Sequence, residues 1–262
     1  MLRVLSESNL NDYIDFGMEM VKSRDIDPNY PVLKALLKNL NLTEADELYF
    51  MFIFVAHYDF TSALEYWFNP ADTYPKTTQR RGLRSIPKFR QHMDWLEAHR
   101  EMLLPFMKTR VVNTSDKRKN WLNVCKFIEV MPQNGRWAGY KVAEILEKSF
   151  DWPLEAPDMG NDFSTGPIGG LELLFGKAPG QRERRVRWAD IGGEVLKMAF
   201  RERTGYDVGI EEIETILCDY KALAAGRFYV GFETDEMLMH ITKARSRGTP
   251  EAVLEPLLDA RK

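Results

Sequence analysis

The chain has 262 residues, 44% hydrophobic and 12% aromatic, which is long enough to bury a sizeable core and too apolar for a disordered polypeptide. Its net charge is −3, its two cysteines lack CxxC or Cys/His spacing, and no apolar run approaches the ~20 residues of a membrane span. Zinc-stapled, disulfide-stapled and integral membrane classes are thereby excluded; the expected setting is a reducing cytoplasm, with Cys125 and Cys218 as buried thiols in amphipathic helices.

Residues 9–22 carry Leu10, Ile14, Met18 and Val21 at helical spacing, and a second helix is predicted over 31–40. Thr43 caps a third over 44–57, with early carboxylates Glu44 and Asp46. This helix is apolar on nearly all sides after Leu48 and should be central. His57, at its end among aromatics, reads as a satisfied structural histidine. A fourth helix covers 60–68. Residues 70–86 form a long irregular connection holding Arg80, Arg81 and Arg84, and loops of this length tend to be functional or disordered. A long helix over 87–107 turns Phe89, Met93, Leu96 and Leu103 inward and Lys88 outward, and Asp116 starts another over 117–130 with the stripe Trp121, Val124, Cys125 and Ile128. A helix opening at Arg136 follows. After an irregular stretch come a short apolar helix over 171–175, a basic link over 182–187, a helix over 189–203 stopped by Gly205, and one over 210–224 stopped by Gly226. The acids Glu211, Glu212 and Glu214 suit a helix start without a functional reading. Residues 228–232 read as a short strand or extended link, Thr234 as the cap of a helix reaching Arg247, and the chain ends in a short helix. The inventory predicts an all-α fold, a multi-helical globular domain whose parts are 1–75, 76–119 and 120–262.

Charge is segregated. Residues 1–75 hold 5 Lys/Arg against 12 Asp/Glu, whereas 76–119 hold 12 against 4 and 177–187 hold 5 against 1, so one face can meet a polyanion despite the negative sum. The candidate DNA contacts are Arg80, Arg81, Arg84, Lys88, Arg184 and Arg185. The plainer reading of the same tracts is a solvated loop and a basic helix.

Chemistry-bearing residues concentrate in 132–175. Gln133-Asn134-Gly135 makes a turn between two helices, the form in which helix-hairpin-helix modules offer backbone amides to a DNA phosphate, although Gly135 and Gly139 are four apart rather than two. Arg136 and Lys141 can each neutralise a phosphate, and Trp137 and Tyr140 either stack on a base or fill the core. Asp158, Asn161 and Asp162 gather carboxylates and an amide in one loop, as a general base or an Mg²⁺ site requires, and their spacing does not decide between the two. Ser164, Thr165, Gly166 and Gly169 precede an apolar helix, an arrangement that presents N–H groups and a positive helix end, or simply a glycine-rich helix start. Walker A, HExxH, GxSxG and GxGxxG are absent.

The segments GRWAGYKVAEIL and APDMG…STGP, within residues 121–175, resemble the alpha-glutamyl/putrescinyl thymine pyrophosphorylases, also called amino acid:DNA transferases. These act in bacteriophage pathways of thymine hypermodification and are related to helical DNA glycosylases. The resemblance implies DNA containing a modified uracil as one partner and an amine as the other: the amine displaces pyrophosphate from the 5-hydroxymethyl carbon. No catalytic residue is carried over. That reaction asks for an extruded base, aromatic walls, oriented donors at the departing diphosphate and a carboxylate to take the ammonium proton. Ser164 to Gly170 with Arg136 or Lys141 fit the donors, and Asp158, then Asp162, the carboxylate. A noncatalytic DNA-binding module, a helical interaction protein and a glycosylase-like enzyme are the alternatives.

Overall fold

The computed structural model describes residues 5–70, 85–160 and 164–259. Among them are twelve α-helices and no strand: α1 (Glu7–Ser23), α2 (Asn29–Leu40), α3 (Glu44–His57), α4 (Phe60–Phe68), α5 (Ile86–Phe106), α6 (Lys117–Glu129), α7 (Arg136–Lys148), α8 (Gly166–Phe175), α9 (Arg182–Thr204), α10 (Ile210–Ala224), α11 (Phe232–Ser246) and α12 (Glu251–Asp259). A π-helical turn, Met107–Val111, continues α5. The all-α expectation holds. No helix of the described residues is long and apolar enough to cross a membrane.

The chain divides into two compact units, each discontinuous in sequence. Unit 1 comprises Met1–Asp27 and Ala156–Thr234; unit 2 comprises Pro28–Glu155 and Asp235–Lys262. The Arg136 hairpin belongs to unit 2, and the Asp158 loop with the start of α8 belongs to unit 1.

In unit 2, α3 is the central element. Every residue from Leu48 to His57 is buried, because no polar face interrupts the apolar run that begins at Leu48. Thr43 caps it by accepting from the Asp46 N–H at 3.3 Å. Arg100 of α5 reaches back to the same end, 2.6 Å from the Asp46 carboxylate and 4.5 Å from the centre of the Tyr49 ring. This guanidinium holds the Asp46 carboxyl below its ordinary range.

Unit 1 is built on α10, against which α1, α8 and α9 pack. Phe200 of α9 and Ile216 of α10 close on Gly17 of α1, where a Cβ would lie 2.7 Å and 3.3 Å from their side chains. Asp25, fully buried beyond α1, accepts from the Gly231 N–H at 2.6 Å and the Thr234 N–H at 2.8 Å. Thr234 is therefore not the cap of α11. That helix starts at Phe232, and its first turn receives a carboxylate from a segment two hundred residues away in sequence. Residues 228–229 form an irregular link and 230–231 a turn into α11, with no strand there.

Two other elements begin earlier than expected. α9 starts at Arg182, so the basic link is its first turns: arginine is a good helix former, and its charge does not prevent a solvated helix start. α8 starts at Gly166, with Pro167 in its first turn, where a missing N–H costs nothing. Cys125 and Cys218 are not disulfide-bonded among the described residues, and each is half-buried rather than fully buried.

Candidate functional site

The hairpin of unit 2 is formed by α6, residues 130–135 and α7. Asp116 caps α6 by accepting from the Lys119 N–H at 3.0 Å. Met131 N–H donates to Ile128 and Asn134 N–H to Met131, at 3.1 Å and 3.2 Å, which folds the chain back on itself, and Gln133 takes up a left-handed conformation at φ 64°. Two side chains of α5 pin this turn: His92 Nδ1 donates to the Pro132 carbonyl at 2.9 Å, and Gln91 accepts from the Gln133 amide at 2.7 Å. The spacing of the glycines now has a physical account. Gly135 caps α7 with open space around it, whereas a Cβ on Gly139 would lie 2.9 Å from the Cys125 carbonyl oxygen, because α6 and α7 cross there.

The four candidates on α7 separate by burial. Arg136 is exposed; Trp137 is 39% exposed, with its ring edge-on to Tyr58 at 5.1 Å. Tyr140 is buried against Trp121, ring centres 5.2 Å apart. Lys141 is drawn inward to the buried Glu144 at 2.7 Å and to the Tyr30 hydroxyl at 3.1 Å. Arg136 and Trp137 are thus the members of this set that a DNA strand can reach.

In unit 1, Asp158 is half-buried and bends its own loop: one carboxylate oxygen accepts from the Gly160 N–H at 2.6 Å, and the Ser164 N–H then donates to the Gly160 carbonyl at 2.8 Å. Asn161 and Asp162 lie outside the described residues, as do Arg80, Arg81 and Arg84. Thr165 is exposed at the start of α8, and Ser164 donates to Glu214 of α10 at 3.3 Å. Gly166, Gly169 and Gly170 line the α10 side of α8. A Cβ would lie 2.3 Å from Cys218 Sγ at the first, 2.5 Å from Lys221 Nζ at the second and 2.4 Å from the Leu217 carbonyl oxygen at the third. These glycines let two helices approach, and in doing so they seat a cation at the α8 N-terminus: Lys221 Nζ donates to the Thr165 carbonyl at 3.3 Å. Lys221 was not singled out from sequence. The signal was present in the i, i+3, i+4 spacing of glycines at 166, 169 and 170, which marks a close helix contact.

A family model described as "Amino acid:DNA transferase" matches residues 78–228, more than half of the chain. The chain belongs to the amino acid:DNA transferase family. The match takes in the hairpin, the Asp158 loop, α8, α9 and α10. Membership makes the chain a transferase that acts on DNA with an amino acid as the other substrate. No curated protein matches the sequence.

A second feature of the transferase that the sequence did not announce is a group of carboxylates in unit 1. Asp219 of α10 has one carboxylate oxygen buried without a hydrogen-bond partner among the described residues. Burial, with the charges of Glu233, Asp27, Glu214 and Asp25 around it, pushes its carboxyl up to about 8. Asp27 itself accepts from the Thr215 hydroxyl at 2.8 Å. The members come from α10, α11 and the segment after α1, so no local spacing reveals them. Among the described residues no group of three His, Cys, Asp or Glu side chains is arranged to hold a metal ion. Of the candidate DNA contacts that are described, Lys88 and Arg184 are exposed and Arg185 is half-exposed, and none makes an ion pair among the described residues.

Proposed function

We propose that the transferase displaces pyrophosphate from 5-pyrophosphoryloxymethyluracil in DNA with the amine of an amino acid, giving a hypermodified thymine. The observation that carries this reading is the family match across the Asp158 loop and the α8 start, where a carboxylate, two hydroxyls and a cation occur within one unit. The ammonium of the amino acid gives a proton to Asp158, and the free amine attacks the exocyclic methylene carbon. A C–N bond forms, the C–O bond to diphosphate breaks, and the leaving group carries away the electron pair. Ser164, Thr165, the α8 N-terminus and Lys221 supply donors for the charge that develops on it. Glu214, beside Ser164, suits the approaching ammonium. In unit 2, Arg136 and Trp137 serve the DNA strand by phosphate pairing and base contact.

The test is to incubate the protein with DNA containing 5-pyrophosphoryloxymethyluracil and individual amino acids, and to follow pyrophosphate release and nucleoside mass. A nucleoside enlarged by the amino acid, with equimolar pyrophosphate, is expected. Binding without turnover under every amine points to a noncatalytic reader, and abasic sites point to a glycosylase. Asp158→Asn should lower turnover by roughly 10²–10⁴-fold while DNA affinity persists. If folded Asp158→Asn keeps full turnover, Asp158 is not the proton acceptor.

A further inference from the structure

Unit 2 carries an open cleft of about 230 Å³ lined by Trp95, His99, Met102, Leu103, Phe106 and Phe127. Its walls are flat rings. Trp95 and His99 stack with centres 4.2 Å apart and planes 19° apart, and Phe106 meets Phe127 across the two helices at 5.2 Å. The His99 ring is fixed by its Nδ1, which donates to the Trp95 carbonyl at 2.7 Å. Met102 is 65% exposed and Phe106 43%, so this is apolar surface held in water at a cost in free energy.

The backbone beside the cleft is irregular. Pro105 lies inside α5, and the π-helical turn Met107–Val111 follows, with the Thr109 hydroxyl donating to the Pro105 carbonyl at 2.7 Å. π-helical turns occur frequently at functional sites.

Exposed cations lie on the same elements as the rings. Lys88 precedes Trp95 by seven residues and so shares its face of α5, two turns along the helix. Arg110 lies on the π-helical turn, while Lys119 and Lys126 border the Phe127 side of α6. All four are exposed and none makes an ion pair among the described residues. Of the exposed acids on these helices, Asp94 lies about 100° from Trp95, the same offset as Lys126 from Phe127, whereas Glu97, Glu101 and Glu129 lie about 120°–160° from those rings, and Glu97 accepts from the Tyr49 hydroxyl at 2.6 Å. Aromatic faces bordered by cations are the chemistry of a stacking platform for nucleic acid, in which rings take bases and cations take the phosphates between them. An apolar protein helix would use the rings and leave the cations without a role.

We infer that this cleft stacks an unpaired nucleobase of the DNA substrate, with Lys88, Arg110, Lys119 and Lys126 at the flanking phosphates. The inference rests on the reading of the protein as a DNA-acting transferase and adds a binding site separate from the Asp158 loop.

The experiment compares the full chain with Met102→Glu and Phe127→Ala in binding to a fluorescent oligothymidylate and to a blunt duplex of equal length, with melting curves to verify folding. Met102 is exposed, so its substitution places a charge at the cleft without opening the core. Both variants should bind the single strand about tenfold more weakly, with duplex affinity within about twofold of the parent. Unchanged single-strand affinity in folded Met102→Glu overturns the inference, as does equal weakening on both DNAs. Loss of a concentration-dependent dimer without loss of single-strand binding would reassign the cleft to a second copy of the chain. If the parent protein binds neither DNA, the DNA reading itself fails; if it binds and turns over DNA while the variants match it, only the cleft assignment fails.

Discussion

His57 is fully buried, with both ring nitrogens lacking a hydrogen-bond partner among the described residues, and lies 4.9 Å from the Phe89 ring and 5.9 Å from the Tyr66 ring. It lies in the core, but it is not the satisfied histidine expected from the sequence. Burial, only partly offset by Asp59, lowers its pKa from 6.5 to about 4. Between these values the unfolded chain takes up a proton that the folded chain refuses, so stability is lost as pH falls from about 6.5 towards 4, by about 3 kcal/mol in total. His57→Phe removes the titrating group and should flatten that acid limb, read as the difference in urea midpoint between pH 7 and pH 4.5 in variant and parent. Asp219 works in the opposite direction. Its carboxyl is raised from 3.8 to about 8, so the stability linked to its proton is complete below about pH 4 and is lost as pH rises through 8. Asp219→Asn should therefore make the decline from pH 6 to 8.5 shallower, by up to about 1.4 kcal/mol per pH unit. A variant with the parent's slope would mean that this carboxylate is ionised without penalty.

Two helix pairs depend on missing side chains. At Gly170 a Cβ would meet the Leu217 carbonyl oxygen at 2.4 Å, and backbone cannot move aside as a flexible side chain can. Alanine gains roughly 1 kcal/mol of helix propensity over glycine, but overpacking of this kind costs about 1–3 kcal/mol or more, so Gly170→Ala should lower the melting temperature. Gly135→Ala, with nothing within 4 Å, should shift it little. The contrast shows which parts of the fold were legible from sequence. α3 was readable residue for residue because its cap, Thr43, and its unbroken apolar run are both local signals. The start of α8 was not, because glycines and a proline read as a turn unless the partner helix that requires them is known. The cap of α11 was misassigned to Thr234 because its true acceptor, Asp25, is remote in sequence. Burial on α7 was only half legible. Period alone puts Tyr140 and Trp137 near the same face, and packing on Trp121 decides that one is core and the other is open.

At the scale of the molecule, a net charge of −3 must still admit a polyanion, and α9 shows one way in which it can. Arg184, Arg185 and Arg187 occupy the first two turns of that helix, at the positive end of its dipole, where cations are disfavoured. None of the three makes an ion pair among the described residues, whereas Arg203, at the favourable C-terminal end, is engaged by Glu7 and Asn11 of α1. An arrangement that opposes the dipole without an internal partner is relieved by an external anion, and a phosphate backbone provides one. Each phosphate neutralised by an arginine releases condensed counterion, which contributes about 0.9 to the slope of log affinity against log salt for duplex DNA. Replacing both Arg184 and Arg185 by alanine should therefore reduce the magnitude of that slope by about 2 and weaken binding equally across unrelated sequences, since phosphate contacts carry no sequence information. Arg203→Ala should leave the slope as it is, because its charge is already spent within unit 1. Titrations at four or five salt concentrations measure all three slopes, and an unaltered slope in the double variant would take α9 off the DNA.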